Sequence, residues 1–294
     1  LIRRSLPTAV IRQVEGNPGY GPLMNEVSRL VEGESGFFCF MHDDVALDSN
    51  AISSMIGEMF RSNAGVVGPK IVMWDDVTVL QSVGLGADRI GDISPIVEKG
   101  EKDQEQHDAV SDVFLIPSAC MLVRADLFRE IGGFSPDIPL FGEDLDFCWR
   151  THLSGARVMV VPAARARHRN EMSASRLVTS MSALEARHRV RTVATLSGRV
   201  QLPLVLVQLL LMSVARVVIG VFNGTFRQAQ ESLRASIAVI FDIRYIVQRR
   251  AEVRPYRRVP AAEIHDLQSR GSARLWAFIR KRRSRVQEIS GLTA

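Results

Sequence analysis

Gly36-Phe37-Phe38-Cys39-Phe40-Met41-His42-Asp43-Asp44 is the stretch from which the fold is read. Residues 37–41 form an unbroken apolar run of strand length, the pattern of a buried β-strand. His42-Asp43-Asp44 follows at the carboxyl end of that strand, where open α/β sheets bind their ligands. Adjacent carboxylates repel unless a proton or a cation intervenes, so a divalent metal ion is their natural partner. A second acidic pair, Glu143-Asp144, stands far downstream within Pro139-Leu140-Phe141-Gly142-Glu143-Asp144-Leu145-Asp146-Phe147-Cys148-Trp149-Arg150. It supplies a carboxylate able to act as a base beside that metal. Together the two clusters point to metal-assisted group transfer.

Upstream, Val10–Val14 reads as a short strand and Asn17-Pro18-Gly19-Tyr20-Gly21 as a turn. Pro22–Glu32 reads as a helix with Leu23, Val27, Leu30 and Val31 on one face. Downstream, Asn50–Ser62 is a helix with Ile52, Met55, Ile56 and Met59 inward, and Gly65–Val72 is a strand. This alternation predicts an α/β fold, a mostly parallel sheet with flanking helices. Residues 73–112 carry scattered Gly and Pro and the polar run Glu101–Asp108, the composition of a long surface excursion. Strand character resumes at Val113–Pro117 and Ala119–Val123. A helix over Asp126–Ile131 ends at Gly132-Gly133. Asp144–Leu153 is a helix opened by acidic residues, which suit a helix N-terminus. Val158–Val161 is a last buried strand, and His168 follows it.

At 294 residues the chain has length for one large or two small domains. Its net charge of +5 divides into −8 over residues 1–170 and +13 over residues 171–294. A basic back half points to a polyanionic partner, a membrane surface or nucleic acid. Cys39, Cys120 and Cys148 form no CxxC pair and sit in apolar runs, so they read as reduced core residues facing the cytosol. No secretory signal opens the chain, and a first residue of Leu reads as a piece of something longer. Two parts are expected: residues 1–172, the α/β unit, and residues 173–294, a helical, apolar and basic region. In the second, Arg176–Ser197 reads as a polar helix. Val200–Phe222 is apolar except for Gln201, Gln208, Ser213 and Arg216, which fall on one side of a helical wheel. Its length allows a bilayer crossing; Pro203, Arg216 and the polar stripe also suit a helix lying in the interface. The tail from Arg244, with 13 basic and 4 acidic residues including Arg280-Lys281-Arg282-Arg283, fits anionic headgroups at the cytoplasmic face of a membrane.

The order of these pieces resembles the family 2 glycosyltransferases, which have a GT-A fold. Four stretches carry the likeness: Asn17 to Gly21 with Asn25, Met41-His42-Asp43-Asp44-Val45, Met121-Leu122-Val123-Arg124 through Ile131-Gly132-Gly133-Phe134, and Phe141 to Arg150. His168 is similar to the family's late metal-contacting histidine. The likeness covers about Val10 to Asn170. More weakly, the back half resembles membrane-associated members that build actinobacterial cell-envelope glycans.

The resemblance implies roles. Asp44, at the last acidic position of the family's DxD motif, would bind Mn²⁺ or Mg²⁺ with His168, and His42 stands at the motif's first position. Asp43 would contact sugar or ribose. Asp144 matches the base that deprotonates the acceptor hydroxyl, and Glu143 would hold or tune it. Trp149 and Arg150 would touch the acceptor or the diphosphate. Asn17, Gly19, Tyr20, Gly21 and Asn25 would lie against the donor, the turn letting backbone approach the nucleotide. Ser118-Ala119 replaces a Thr-Gly-like pair and would tighten the sugar pocket. The implied activity is inverting, metal-dependent transfer from a nucleotide-sugar to a glycan or lipid-linked acceptor. The family's first strand, first helix and second strand, which cradle the base, have no counterpart before Leu1.

Each signal has a plainer reading. Asp43-Asp44, Asp75-Asp76 and His107-Asp108 read as solvated loops. Glu143-Asp144 reads as a favourable helix start, His168 as a surface residue, Trp149 as core and Arg150 as a surface charge. A degenerate domain serving as a membrane-attached scaffold is the alternative function. Nucleic-acid binding is disfavoured, because the Arg-rich tail lacks interleaved aromatics.

Overall fold

The structure, a computed structural model, describes residues 2–31, 36–169, 178–222 and 224–269. Helix α1 (Ile2–Ser5) is followed by irregular chain up to α2 (Tyr20–Leu30). Val10–Val14 is not a strand. Val10 is 89% exposed, and no described strand pairs with the segment. An apolar pattern becomes a strand only where neighbouring backbone takes up its hydrogen bonds.

Strand β1 (Phe37–Met41) alternates, Phe38 and Phe40 entering the core while Cys39 and Met41 face out. Cys39 is therefore exposed, against the core reading, whereas Cys120 and Cys148 are buried. Next come β2 (Val45–Leu47) and α3 (Ala51–Ser62), which packs Ala51, Met55 and Met59 on the sheet and leaves Ile52 outside. Strand β3 (Ala64–Met73) is buried along all but its last residue, as a central strand covered on both faces must be.

Residues 73–112 are a surface excursion only in part: residues 98–112 are mostly exposed, but residues 80–97 enter the core. The whole segment contains β4 (Leu80–Ser82), β5 (Leu85–Ala87), β6 (Ile93–Pro95) and β7 (Ser111–Asp112). β4 pairs with β3, β5 with β6, and Leu80, Val83, Ala87, Ile90 and Val97 join the main core. Polar groups beside them are paired: the buried Lys70 Nζ donates to Asp103 at 2.9 Å and to the exposed Asp108, and the buried Asp92 binds Arg189 and Arg216. Val113–Pro117 is buried but irregular, with one isolated bridge between Leu115 and Leu85.

The chain continues through β8 (Cys120–Arg124), α4 (Ala125–Glu130), α5 (Glu143–Leu153) and β9 (Arg157–His168). The sheet order is β1-β8-β3-β9-β2. β3 and β9 pair in parallel, whereas β1–β8, β8–β3 and β9–β2 are antiparallel. The α/β class with a central sheet and flanking helices is as expected. The pairing is mixed rather than mostly parallel: β1, β3 and β9 run one way, but β8 returns between β1 and β3. Helix α3 covers one face; α4 and α5 cover the other.

Helices α6 (Val178–Leu196), α7 (Leu202–Phe222), α8 (Phe226–Phe241), α9 (Ile243–Val253) and α10 (Ala261–Leu267) complete the described chain. This half is tied to the front half: the Arg191 side chain of α6 donates to the Asp137 carbonyl, and the backbone N–H of Arg258, between α9 and α10, donates to the Leu153 carbonyl at 2.8 Å. Helix α7 leaves most of its apolar surface outside. Val205, Leu209, Ser213 and Gly220 are buried and Arg216 reaches Asp92, while Gln208 and the apolar Leu204, Val207, Leu211, Val214, Val218 and Phe222 are exposed. Among the described residues α7 alone is long and apolar enough to cross a membrane. The Arg280–Arg283 run lies outside the described residues.

On α5, Arg150 Nε donates to Asp146 Oδ2 at 2.7 Å, and Nη1 donates to the carbonyls of Ile131 and Gly133 at 2.9 and 2.7 Å. Both partners are buried. Removing one member of such a pair strands the other charge. Asp146→Ala is expected to destabilise the fold by about 3–5 kcal/mol in denaturant unfolding. A loss under about 1 kcal/mol, the range of exposed pairs, would contradict this role.

Candidate active site

The turn after β1 is fixed by the His42 N–H, which donates to the Ala119 carbonyl at 3.0 Å. The antiparallel β2–β9 register sets Val45 opposite His168, and the Arg169 N–H donates to the Asp44 carbonyl at 3.1 Å. Two residues far apart in sequence thus meet through sheet pairing. His168 Nε2 lies 3.2 Å from Asp44 Oδ1, and His42 Nδ1 lies 4.0 Å from it. One ligand atom from each of His42, Asp44 and His168 falls within 4.8 Å of the others. Two imidazoles and a carboxylate are a donor set suited to a divalent transition metal. Burial, and then His168, hold His42 below the ordinary histidine pKa, which keeps it neutral and able to ligate. Asp43, in the same turn, is exposed.

The second cluster reaches this one through Ser118. Ser118 Oγ donates to Glu143 Oε1 at 2.8 Å and stands 3.4 Å from His42 Nε2. Glu143 is buried, and its Oε2 has no hydrogen-bond partner among the described residues. Burial, and then the neighbouring Asp144, push its pKa up to about 8, so it holds its proton at neutral pH. Burial also raises Asp144, while N–H groups at the start of α5 and at Ser118 oppose that rise. Asp144 Oδ1 accepts from the Leu145 N–H at 2.8 Å. Phe141 at φ 59° and Gly142 at φ 99° turn the chain sharply into α5. His188 of α6 clamps this turn, its Nδ1 lying 2.7 Å from the Leu140 carbonyl and 3.0 Å from that of Phe141. Sequence reasoning missed His188; inside a polar, Arg-rich helix nothing marks it as buried.

The Asn17–Asn25 segment divides. Tyr20 belongs to the site: its hydroxyl donates to the Ser118 carbonyl at 3.0 Å, and its ring meets His42 edge-on at 5.0 Å. The glycines serve packing against protein, contrary to the expected approach to a nucleotide. The Gly21 N–H donates to the Pro139 carbonyl at 3.1 Å. Gly19 has φ 96°, and a Cβ there would stand 2.5 Å from the Pro139 oxygen. Asn17 Oδ1 accepts from the Gly19 N–H at 3.2 Å. Asn25 clamps Phe134 through both its amide atoms, at 2.8 and 2.9 Å. Trp149 and Arg150, expected at the acceptor or diphosphate, are each 1% exposed. Trp149 packs edge-on against Phe114 at 5.5 Å, and Arg150 ties α5 to the Gly132-Gly133 turn. Both are core residues. Ala119 is buried beside Ser118, where the expected Thr-Gly-like pair would stand.

A mixed α/β sheet with an acidic–histidine cluster at its strand ends, and carboxylates at a nearby helix start, defines a GT-A-type domain. The chain belongs to glycosyl transferase family group 2, whose sequence profile matches residues 37–220. Pre-mycofactocin glycosyltransferases from two strains of Mycobacterium tuberculosis are 26% identical over 150 residues. That match covers 50% of this chain and 30% of each relative, so the chain spans under a third of their length. Among solved structures, GalNAc-T7 with UDP, GalNAc and Mn²⁺ aligns with a TM-score of 0.46 at 11% identity, covering 57% of this chain and 33% of that one. The mannosyltransferase PcManGT from Pyrobaculum calidifontis, in complex with GDP-Man and Mn²⁺, aligns with a TM-score of 0.43 at 14% identity, covering 81% and 72%.

Proposed function

We propose that this chain transfers a sugar from a nucleotide-diphosphate donor, with inversion, to a hydroxyl of a glycan or lipid-linked acceptor. One observation carries the reading: His42, Asp44 and His168 cluster at the strand ends, and Ser118 bridges that cluster to the Glu143-Asp144 start of α5. In this role Asp144 takes the proton as the acceptor oxygen bonds to the anomeric carbon and the bond to the diphosphate breaks. Glu143, protonated and buried, adds no second negative charge beside that base. Tyr20 and Ser118 fix the wall from which His42 projects. Asp44, His168 and His42 would hold the ion, and two imidazoles favour Mn²⁺ over Mg²⁺, which prefers oxygen ligands. A bound cation would offset charge gathering on the leaving diphosphate. Asp43, exposed beside the cluster, would meet the donor's sugar or ribose. The scaffold alternative gives no reason for these residues to assemble, and the assembly favours the enzyme.

Inversion has a direct test that needs no acceptor, because water can replace it slowly. ¹H NMR of an α-linked nucleotide-sugar incubated with the protein and Mn²⁺ is expected to show the β-anomer of the free sugar first. The α-anomer appearing first would overturn direct displacement.

The same proposal divides the chain at 172/173 and sets its back half on the cytoplasmic face of an anionic membrane. Arg216, midway along α7, is held by Asp92 of the front half, and the outward face of α7 is apolar. A helix so tied suits the interface plane rather than a crossing. Flotation with anionic vesicles is expected to carry the protein upward, and Val207→Asp with Val218→Asp to leave it at the bottom. Flotation unchanged by that double substitution would count against α7 as the contact.

A further inference from the structure

A cleft of about 620 Å³ opens away from the metal cluster, between the loop joining β5 to β6, helix α7, and the chain just after α10. Its volume lies within the range of small-molecule sites. Three of its features point to a ligand. First, Gln268 lines the cleft with only 4% of its surface exposed, and both Oε1 and Nε2 lack a hydrogen-bond partner among the described residues. A buried primary amide without partners is costly, and a ligand offering both donors and acceptors relieves it. The backbone beside it is anchored, since the Ser269 N–H donates to the Ala87 carbonyl at 2.9 Å.

Second, the polar lining favours hydroxyl groups over an ion. Asp266 and Arg89 line it with opposite charges, while Asp88 is buried and its Oδ1 accepts from the Ile90 and Asp92 N–H groups. Burial, and then Arg89, hold His265 below the ordinary histidine pKa, so it is neutral at neutral pH. Amide, carboxylate and neutral imidazole together form a set that hydrogen-bonds a polyol.

Third, one wall is apolar and continues outward. Leu211 lines the cleft at 64% exposure and leads onto the exposed face of α7 with Val207, Val214 and Val218.

We propose that this cleft holds the glycosyl head of a glycolipid, its alkyl chain lying along Leu211 and the outer face of α7. This rests on the glycosyltransferase reading and adds to it a binding site outside the metal cluster, for a sugar already joined to one apolar chain.

Saturation-transfer NMR on the full chain, without donor or metal, tests it with octyl β-glucoside below its micelle concentration. Methyl β-glucoside and octanol serve as the two half-ligands. Saturation is expected on both the ring protons and the first alkyl methylenes, with octyl glucoside binding more tightly than either half. Gln268→Leu, which replaces an unpartnered amide by an apolar side chain of similar size and so keeps the fold, is expected to weaken octyl glucoside about five-fold through its ring contacts. Leu211→Ser should reduce saturation of the alkyl protons alone. Equal binding by methyl glucoside would overturn the apolar half of the proposal. Saturation confined to the chain and unchanged in Gln268→Leu would overturn the glycosyl half, and no saturation would overturn both. Asp44→Ala is expected to keep full glycoside saturation, so loss of the donor reading and loss of this site are separately visible.

Discussion

Asp144→Asn is expected to slow sugar transfer by about 10²–10⁴-fold, the usual contribution of a positioned general base. Asn keeps the size of the side chain and can still accept from the Leu145 N–H, which Asp144 Oδ1 now does at 2.8 Å. It cannot take a proton from the acceptor. Donor affinity should therefore stay within a few-fold of the parent, and the loss should fall on turnover. Glu143→Gln makes the contrasting control. Glu143 is already protonated near neutral pH, with its pKa pushed up to about 8, and Gln retains an oxygen for the Ser118 hydroxyl. Its activity should drop far less. Equal losses in the two variants would contradict the assignment of the proton to Asp144 alone, and a larger loss in Glu143→Gln would move that role to Glu143.

The second large effect concerns the cation. Asp44 contributes the only carboxylate of the three-residue cluster, so Asp44→Ala removes its one negative charge. Losing a group that only orients a metal ligand costs about 10–100-fold in metal affinity, so loss of this ligand itself should cost at least about 100-fold. Titration of Mn²⁺ by calorimetry or by the free-ion EPR signal measures it. His168→Ala should follow, since His168 stands 3.2 Å from Asp44, and His42→Ala should cost least, at 4.0 Å. A reversed order, with His42 dominant, would move the ion away from Asp44 and toward Ser118.

The strand-and-turn at Phe37–Asp44 was legible because burial leaves a plain apolar run and its end is marked by charge. Helix α5 was legible from acidic residues at its start. What the sequence hid is non-local. β8 runs back between β1 and β3, a pairing that no periodicity within either strand reports. Residues 73–112 looked like surface from their scattered Gly and Pro and the run Glu101–Asp108, yet within them Asp92 and Asp103 are held inside by Arg189, Arg216 and Lys70 from other elements. Ion pairing thus put into the interior residues that composition assigns to water. Arg150 was misread as a ligand contact for the same reason, its partner Asp146 standing one helical turn away. The polar stripe of α7 was found correctly, but an amphipathic wheel does not tell which side faces protein. Here the protein-facing side carries Ser213 and Arg216, which reaches Asp92, together with Val205 and Leu209, while Gln208 is exposed.

The proposed function requires one site to hold a cation and a nucleotide-sugar together. The most direct measurement is the melting temperature of the protein with UDP-, GDP- and dTDP-sugars, each with and without Mn²⁺, repeated on Asp44→Ala. One donor is expected to stabilise the parent only when Mn²⁺ is present, by a rise that grows with donor concentration. Asp44→Ala, folded and melting normally by itself, should show none of it. A donor-induced rise that survives without Mn²⁺ and in Asp44→Ala would contradict the metal-bridged site, and no rise with any donor would contradict donor binding by this chain.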